Sequence, residues 1–344
     1  MRHINKLIYC LAVALPVVAL AGCSGGSGSA TTSSGPPPEV SQIVLDAVPT
    51  ADAAGLYIAQ DDGLFKQQGL DVIIKTINGG EFGMTALQDN QVQLVEGNYV
   101  SFILAQMAGS FGGKPINMRM IADTSQMQTG NQALYVMPNS PYKTVADLAR
   151  DHATVGINSP NNIGQVFLGS LLTANGLKLG DIKQVIVPVL PLMPAKLDQH
   201  KVDAAWLPEP FGTEAEEQYG AVQLADFDQG SLQAFPIGTI VGNDTWVKNH
   251  PNTVAAFLRA FQQGQQIADT DHAAVEAALL KNGVAATKVI AATMTLDTYP
   301  LVMDVPVMQR VPDAMFETGV IKKQFDISSM IQPEPGMVSM GSGG

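Results

Sequence analysis

Cysteine is nearly absent: the chain of 344 residues has two, Cys10 and Cys23, both at its very beginning. The body that follows can hold no disulfide, no thiolate zinc cluster and no CxxC redox pair. Histidine is scarce too. Beyond the first segment it occurs as His152, His200, His250 and His272, scattered and without HExxH or other paired metal spacing. Positive charge is short, with 19 Lys and Arg against 31 Asp and Glu, and no basic stripe appears, which excludes nucleic acid as a partner. A P-loop and a GxGxxG are missing, and the one literal GxSxG, Gly22 to Gly26, falls far from any strand-to-helix elbow. These absences point away from an enzyme, a metal site or a bound cofactor.

What is present describes a folded protein. Apolar residues make up 46% of the chain and charged residues 15%, and the length predicts two lobes rather than one small core. Residues 1–22 read as a leader: Arg2 and Lys6 precede an apolar stretch, Leu7 to Leu20, too short for a comfortable membrane span. Leu20-Ala21-Gly22-Cys23 resembles the lipobox of bacterial lipoproteins, which implies cleavage before Cys23 and a diacylglycerol on its thiol. Behind it, SGGSGSATTSSGPPP has nothing to build a core with and reads as a tether over 23–40. The expectation is an extracytoplasmic body held by lipid to the outer face of a bacterial cell membrane.

From residue 41 onward, short β-branched runs alternate with helical periods, the pattern of an α/β protein with largely parallel sheets. Strands are predicted at 42–48, 70–77, 92–97, 117–123, 133–137, 154–158, 183–189, 202–206, 221–226 and 236–242. In NNIGQVFLGSLLTANG, Ile163, Val166, Phe167 and Leu171 share one helix face, with Ser159 as N-cap, Pro160 at N1 and Gly176 as the C′ residue. In TVAAFLRAFQQGQQIA, Val254, Phe257, Leu258 and Phe261 form another face. The segments ALYVMPNSPYKTVADL and FPIGTIVGNDTW read as crossings, so lobe 1 is expected at 41–134 plus 242–332 and lobe 2 at 135–241, with a tail at 333–344.

AGLYIAQDDGLFKQQGLDV (54–72), VQLVEGNYVSFILAQ (92–106), TVADLARDHATVGINSPNNIGQVFLGSLLTANGL (144–177), KVDAAWLPEPFGTEAEEQYG (201–220), NHPNTVAAFLRAFQQG (249–264) and FETGVIKKQFDISSMI (316–331) follow in order along nearly the whole body. Together they resemble the solute-binding proteins of ABC importers, in the nitrate, sulfonate, taurine and thiamine-precursor group, the NMT1-like family. The resemblance implies a type II periplasmic-binding fold, two α/β lobes joined by two hinge strands, with a ligand cleft between them. It implies lobes that close on a small organic solute, sulfonate- or nitrate-like, and deliver it to a permease and its ATPase; the chain is expected to be a monomer, and its Trp and acid content points instead to a pyrimidine-like solute. A ligand-sensing receptor domain is the alternative, and a pyrimidine-synthase-like enzyme a further one. The first loop, VPTADAAG, lacks a histidine or arginine that would favour a negative group.

Ligands of open α/β sheets sit beyond the carboxyl ends of the strands. Four loops meet that condition here, PTADAAG, GNYVS, NSPNNIG and WLPEPF, and they supply the candidate contacts. Thr50 and Asp52 cap a helix or contact solute. Asn98, Tyr99 and Ser101 open a helix at the cleft, although Tyr99 reads equally as a core aromatic. Ser159, Asn161 and Asn162 surround a helix N-terminus suited to an anionic group or to simple capping. Pro208 and Pro210 stiffen the loop carrying Trp206, which stacks on a planar solute or belongs to the core, and Glu209, which accepts from an amine or caps a neighbouring helix. Arg119 is either a cleft cation or part of a solvated face.

Overall fold

The β-branched runs and helical periods resolve into two five-stranded sheets, each clothed by helices. The coordinates, a computed structural model, describe residues 35–331. Cys23, the leader, the tether as far as residue 34 and the tail expected at 333–344 lie outside the described residues. Among the described residues no helix is long and apolar enough to cross a membrane.

Lobe 1 begins with β1 (Gln42–Ala47), α1 (Ala54–Asp61), α2 (Leu64–Gln67), β2 (Asp71–Thr76), α3 (Gly80–Gln88), β3 (Leu94–Asn98) and α4 (Tyr99–Ala108). A two-residue hairpin, β4 (Ser110–Phe111) with β5 (Lys114–Pro115), leads into β6 (Met118–Gln126). Lobe 2 follows as β7 (Gln132–Val136), α5 (Val145–Arg150), β8 (Thr154–Ile157), α6 (Ile163–Ala174), β9 (Lys183–Ile186), α7 (Met193–Asp198), β10 (Ala204–Pro208), α8 (Phe211–Tyr219) and β11 (Val222–Asp226). The chain then returns through β12 (Pro236–Asn243) and ends in α9 (Asp244–Asn249), α10 (Pro251–Thr270), α11 (His272–Lys281), α12 (Lys288–Thr293) and α13 (Val305–Glu317). All the predicted strands are present within a few residues.

The sheets are ordered β2-β1-β3-β12-β6 and β11-β7-β10-β8-β9. They are mixed rather than largely parallel. In each, four strands run one way and a single strand, β12 or β7, runs antiparallel to its neighbours. The reason is geometric: β7 and β12 are the first strands after each crossing. A chain that enters a sheet from the edge where the other strands finish has to run away from that edge. The crossings are the stretches 127–131 and 227–235, so all of β7 belongs to lobe 2 and all of β12 to lobe 1. Both differ from the expected boundaries at 134 and 242, because a strand's local pattern says nothing about which sheet it joins.

The crossings are bound to each other, with the Met127 N–H donating to the Phe235 carbonyl (2.8 Å) and the Thr129 hydroxyl to Asp228 (2.8 Å). Arg310 of α13 fastens the second crossing by donating to the carbonyls of Ser231 (2.9 Å), Gln233 (2.6 Å) and Ala234 (3.1 Å), while its guanidinium lies 5.6 Å from the centre of the Phe235 ring.

The predicted face of α6 is buried, and so is that of α10 apart from Leu258, which is half-buried. In α10, Phe257 stacks between Phe65 and Phe261 with ring centres 5.2 and 6.1 Å away. Each such side chain contributes about 1.5–3 kcal/mol by leaving water. In α6, Phe167 meets Trp206 (6.4 Å), Phe227 (5.5 Å) and Phe235 (5.9 Å), so one ring ties the helix to β10 and to the second crossing. Gly176 follows α6 at φ +73°, as its C′ role requires. The start of α6 differs from expectation: its N-cap is Asn162, which accepts from the Gln165 N–H (3.3 Å), and not Ser159. Residues 159–161 form a turn instead, in which Asn161 takes a left-handed φ of 54° and donates its N–H to the Gln165 side chain (2.9 Å). Asparagine tolerates that backbone region, which lets the chain turn before the helix begins.

Candidate functional site

The carboxyl ends of β1, β3, β8 and β10 converge with the starts of β7 and β12 around a cavity of about 30 Å³. Lobe 1 contributes Val48, Thr50, Asp52, Gly79, Glu96, Gly97, Asn98, Ile237 and Gly238, and lobe 2 contributes Gln132, Asn158, Ile163, Leu190, Trp206 and Pro208. Both lobes therefore wall one hollow.

Its floor is acidic. Glu96, the one charged residue in the strand LVEGN, is 1% exposed and accepts from the Val48 N–H (3.0 Å). Burial, and after it the nearby charge of Asp52, push its carboxyl up to about 8. Asp52 accepts from the hydroxyls of Thr50 and Ser125, the latter at 2.7 Å. Behind it lies Asp297, which accepts from the Asn131 amide; burial first, then the charge of Asp52 and a hydrogen bond with it, raise its carboxyl well above the usual range. Among the described residues no Lys, Arg or His lines the cavity.

The opposite wall is Trp206. Its indole N–H donates to the Gln132 side chain (3.0 Å), and its ring lies on the backbone of α6, where a Cβ on Gly164 would come within 2.5 Å of Cε3. Glycine at 164 is what allows the indole to lie there. Gly97 is required on lobe 1 for the same kind of reason, since a Cβ there would meet the Cα of Gly80 at 2.8 Å and push α3 off the end of β3.

Of the residues expected from the sequence, Thr50, Asp52, Asn98 and Trp206 line this cavity. Asn98 is also the N-cap of α4, accepting from the Ser101 N–H (3.0 Å). Ser101, Ser159 and Asn161 line a second, wider hollow instead. Three expectations need correction. Tyr99 lines neither hollow: it is fully buried within the core, where the first turn of α4 packs inward. Asn162 is 1% exposed and spends its side chain on capping α6 and on Asn158. Glu209 turns its carboxylate into the first turn of α8, accepting from the Thr213 N–H (3.2 Å) and hydroxyl (2.8 Å), and burial pushes it up to about 7. The backbone of Glu209 does reach across: its carbonyl accepts from the Ala51 N–H of lobe 1 (3.1 Å).

Arg119 is neither a cleft cation nor part of a solvated face. It pairs with Asp244 and donates to the carbonyls of Ser329 (3.2 Å) and Ile331 (3.1 Å), on the side of lobe 1 where α9 and the last described residues meet. Sequence reasoning missed Glu96, Gln132 and Asn158. A lone acid inside an otherwise apolar strand was a usable signal for Glu96, and Asn158 stood in a flagged loop. Nothing local marks Gln132.

The sequence model of the NMT1-like family matches residues 36–281. This chain belongs to the NMT1-like family. Solved structures similar to this NMT1-like chain include the periplasmic aliphatic sulphonate-binding protein SsuA of Escherichia coli, at 19% identity and TM-score 0.68, covering 86% of this chain and 93% of that one. The alkanesulfonate-binding SsuA of Xanthomonas axonopodis pv. citri, bound to MOPS, is 16% identical with TM-score 0.71 over 86% of this chain and 99% of its own. The desulfurization enzyme DSZB is 14% identical with TM-score 0.62 over 86% and 97%. At such identities the likeness establishes the fold, a two-lobed periplasmic-binding architecture. No curated protein sequence matches the chain.

Proposed function

We propose that this chain is the extracytoplasmic solute-binding component of an ABC importer, and that its solute presents a positively charged or N–H-rich nitrogen group to Asp52 and Glu96. One observation carries the reading: a cavity walled by both lobes at the strand ends, with two buried carboxylates on one side, an indole on the other, and no cationic side chain. Family membership and the similarity to sulfonate-binding proteins support solute capture. The acidic lining speaks against a sulfonate or nitrate here, because an anion beside these carboxylates would gain no counter-charge and would lose its hydration. A cation is drawn to both once Glu96 gives up the proton that burial makes it hold, and its nitrogen face suits Trp206.

Binding proceeds by hinge closure about 127–131 and 227–235. The solute stabilises the closed arrangement by the contacts it makes with both lobes at once, and a permease reads that closed surface. Cys23 carries the lipid that holds the mature, monomeric protein at the outer face of the cell membrane. Thr50, the one hydroxyl side chain among the described residues that line the cavity, donates to Asp52, and no histidine, lysine or cysteine lines the cavity beside it, which favours capture over turnover even though one relative of this fold is an enzyme.

A thermal-shift and calorimetric screen of small amines, guanidines and aminopyrimidines against sulfonates and nitrate tests this reading. A nitrogenous cation at about 100 times its Kd should add about 2.7 kcal/mol of stability. Its binding should strengthen as pH rises towards about 8, because a cation favours the ionised form of Glu96 and releases its proton. A sulfonate or nitrate binding more tightly than every cation would overturn the charge assignment, and mass-spectrometric turnover of a bound solute would overturn capture without chemistry.

A further inference from the structure

Beside the inner cavity lies a wider hollow of about 430 Å³, also walled by both lobes. Phe82 of α3, Leu104 and Ala108 of α4 and Phe111 of β4 form its lobe 1 side, and the 159–161 turn before α6 forms the other. The two hollows adjoin along the same three segments: Gly79, Asn98 and Asn158 line the inner one, and two, three and one residues further on, Glu81, Ser101 and Ser159 line the outer one. Phe82 is 51% exposed in this wall, a large ring left facing water beside the binding cleft.

Size separates their roles. A cavity of about 30 Å³ has room for one or two water molecules, or for one ammonium group, and for no organic body. Sites that enclose organic molecules run to about 300–1,000 Å³, a range that the outer hollow meets. At the join, Glu81 accepts from the Ser101 hydroxyl through Oε2 (3.2 Å), while its Oε1 is buried with no partner among the described residues. That oxygen is an acceptor waiting for a donor between the two spaces.

Building on the proposed solute-binding role, we infer that the solute is amphiphilic: a compact primary ammonium head enters the inner cavity at Asp52 and Glu96, and an apolar body lies in the outer hollow against Phe82, Leu104, Ala108 and Phe111. Affinity then depends on the length of the body as well as on the charge of the head.

Titration calorimetry with n-alkylammonium ions from ethyl to octyl, and with n-alkanesulfonates of the same lengths, separates this inference from the reading it builds on. The expected result is binding in the ammonium series that tightens about two- to fourfold per methylene until the hollow is filled. Ala108→Trp, which occupies the hollow, should flatten that dependence, and Phe82→Ser should weaken it should the tryptophan variant not fold. If only the sulfonates bind, and with the same length dependence, the ammonium head is wrong and the apolar subsite stands. If either series binds with no dependence on length, the subsite is wrong whatever the head. If neither series binds at millimolar concentration, the amphiphilic solute is overturned altogether.

Discussion

Glu96→Gln should make the protein more stable near neutral pH while weakening its capture of a cation. The amide keeps the shape of the side chain and an oxygen for the Val48 N–H, and removes the ionisable group. In the folded chain, burial and then the charge of Asp52 lift the Glu96 carboxyl from its ordinary 4.5 to about 8. A group whose folded value lies above its unfolded value contributes its full stability below about 4.5 and loses it as pH rises through about 8. Between those limits the native state holds a proton that the unfolded chain releases. At 1.36 kcal/mol per unit, the wild type loses about 2.5 kcal/mol by this route between about pH 5 and pH 7, and Glu96→Gln loses none of it. Urea denaturation of both proteins across that range reads the contribution of Glu96 together with its coupling to Asp52, because Glu209 and the other titrating groups that do not interact with Glu96 are common to both and cancel in the difference. The stability gap should therefore widen in favour of the variant by about 2.5 kcal/mol, while its affinity for an ammonium ion at about pH 8 falls by a factor of about 30 or more. A gap that stays constant with pH, or a variant less stable than the wild type at neutral pH, would refute the buried, proton-holding Glu96 on which the charge assignment of the cleft rests.

Gly164→Ala places a methyl within 2.5 Å of the Trp206 ring and should cost about 1–3 kcal/mol in thermal denaturation together with much of the solute affinity; unchanged binding would mean that the indole is not held as described. The chain has two tryptophans, and Trp246 stacks on His250 at 4.7 Å, away from the cleft, so a solute-induced change in fluorescence should survive Trp246→Phe and vanish in Trp206→Phe. Arg310→Ala removes a donor to three carbonyls of the second crossing, and hydrogen exchange at 231–235 should quicken while protection of β1 and β3 is retained; equal quickening throughout would instead indicate global loss of stability.

The match between predicted and observed elements follows from where the relevant information resides. A strand buried in an α/β sheet needs a short β-branched run, and a helix lying on that sheet needs apolar residues every three or four positions, so both are written locally. That is why Ile163, Val166, Phe167 and Leu171 could be assigned to one buried face of α6 before any fold was known. The same locality explains the error at its start. Ser159 and Pro160 satisfy the rule for a helix N-terminus, yet Asn161 can take a left-handed turn and Asn162 can cap, and only the path between β8 and the sheet selects the second solution. Tyr99 and Glu209 fall into the same class: their loops lie at the cleft, but the helical turn that each belongs to directs the side chain into the core or into α8.

The amino-acid sequence alone determined the alternation of strands and helices, the two-lobed plan, the four loops that reach the cleft and the shortage of cations around it, because each is set by neighbours along the chain. The tertiary structure alone decided that β7 and β12 run against their sheets, that Glu96 and Gln132 share one cavity with Trp206, and that Arg119 is spent on Asp244. Those depend on segments far apart in the chain meeting in space, and the proton affinity of a carboxyl such as Glu96 comes from what surrounds it after folding.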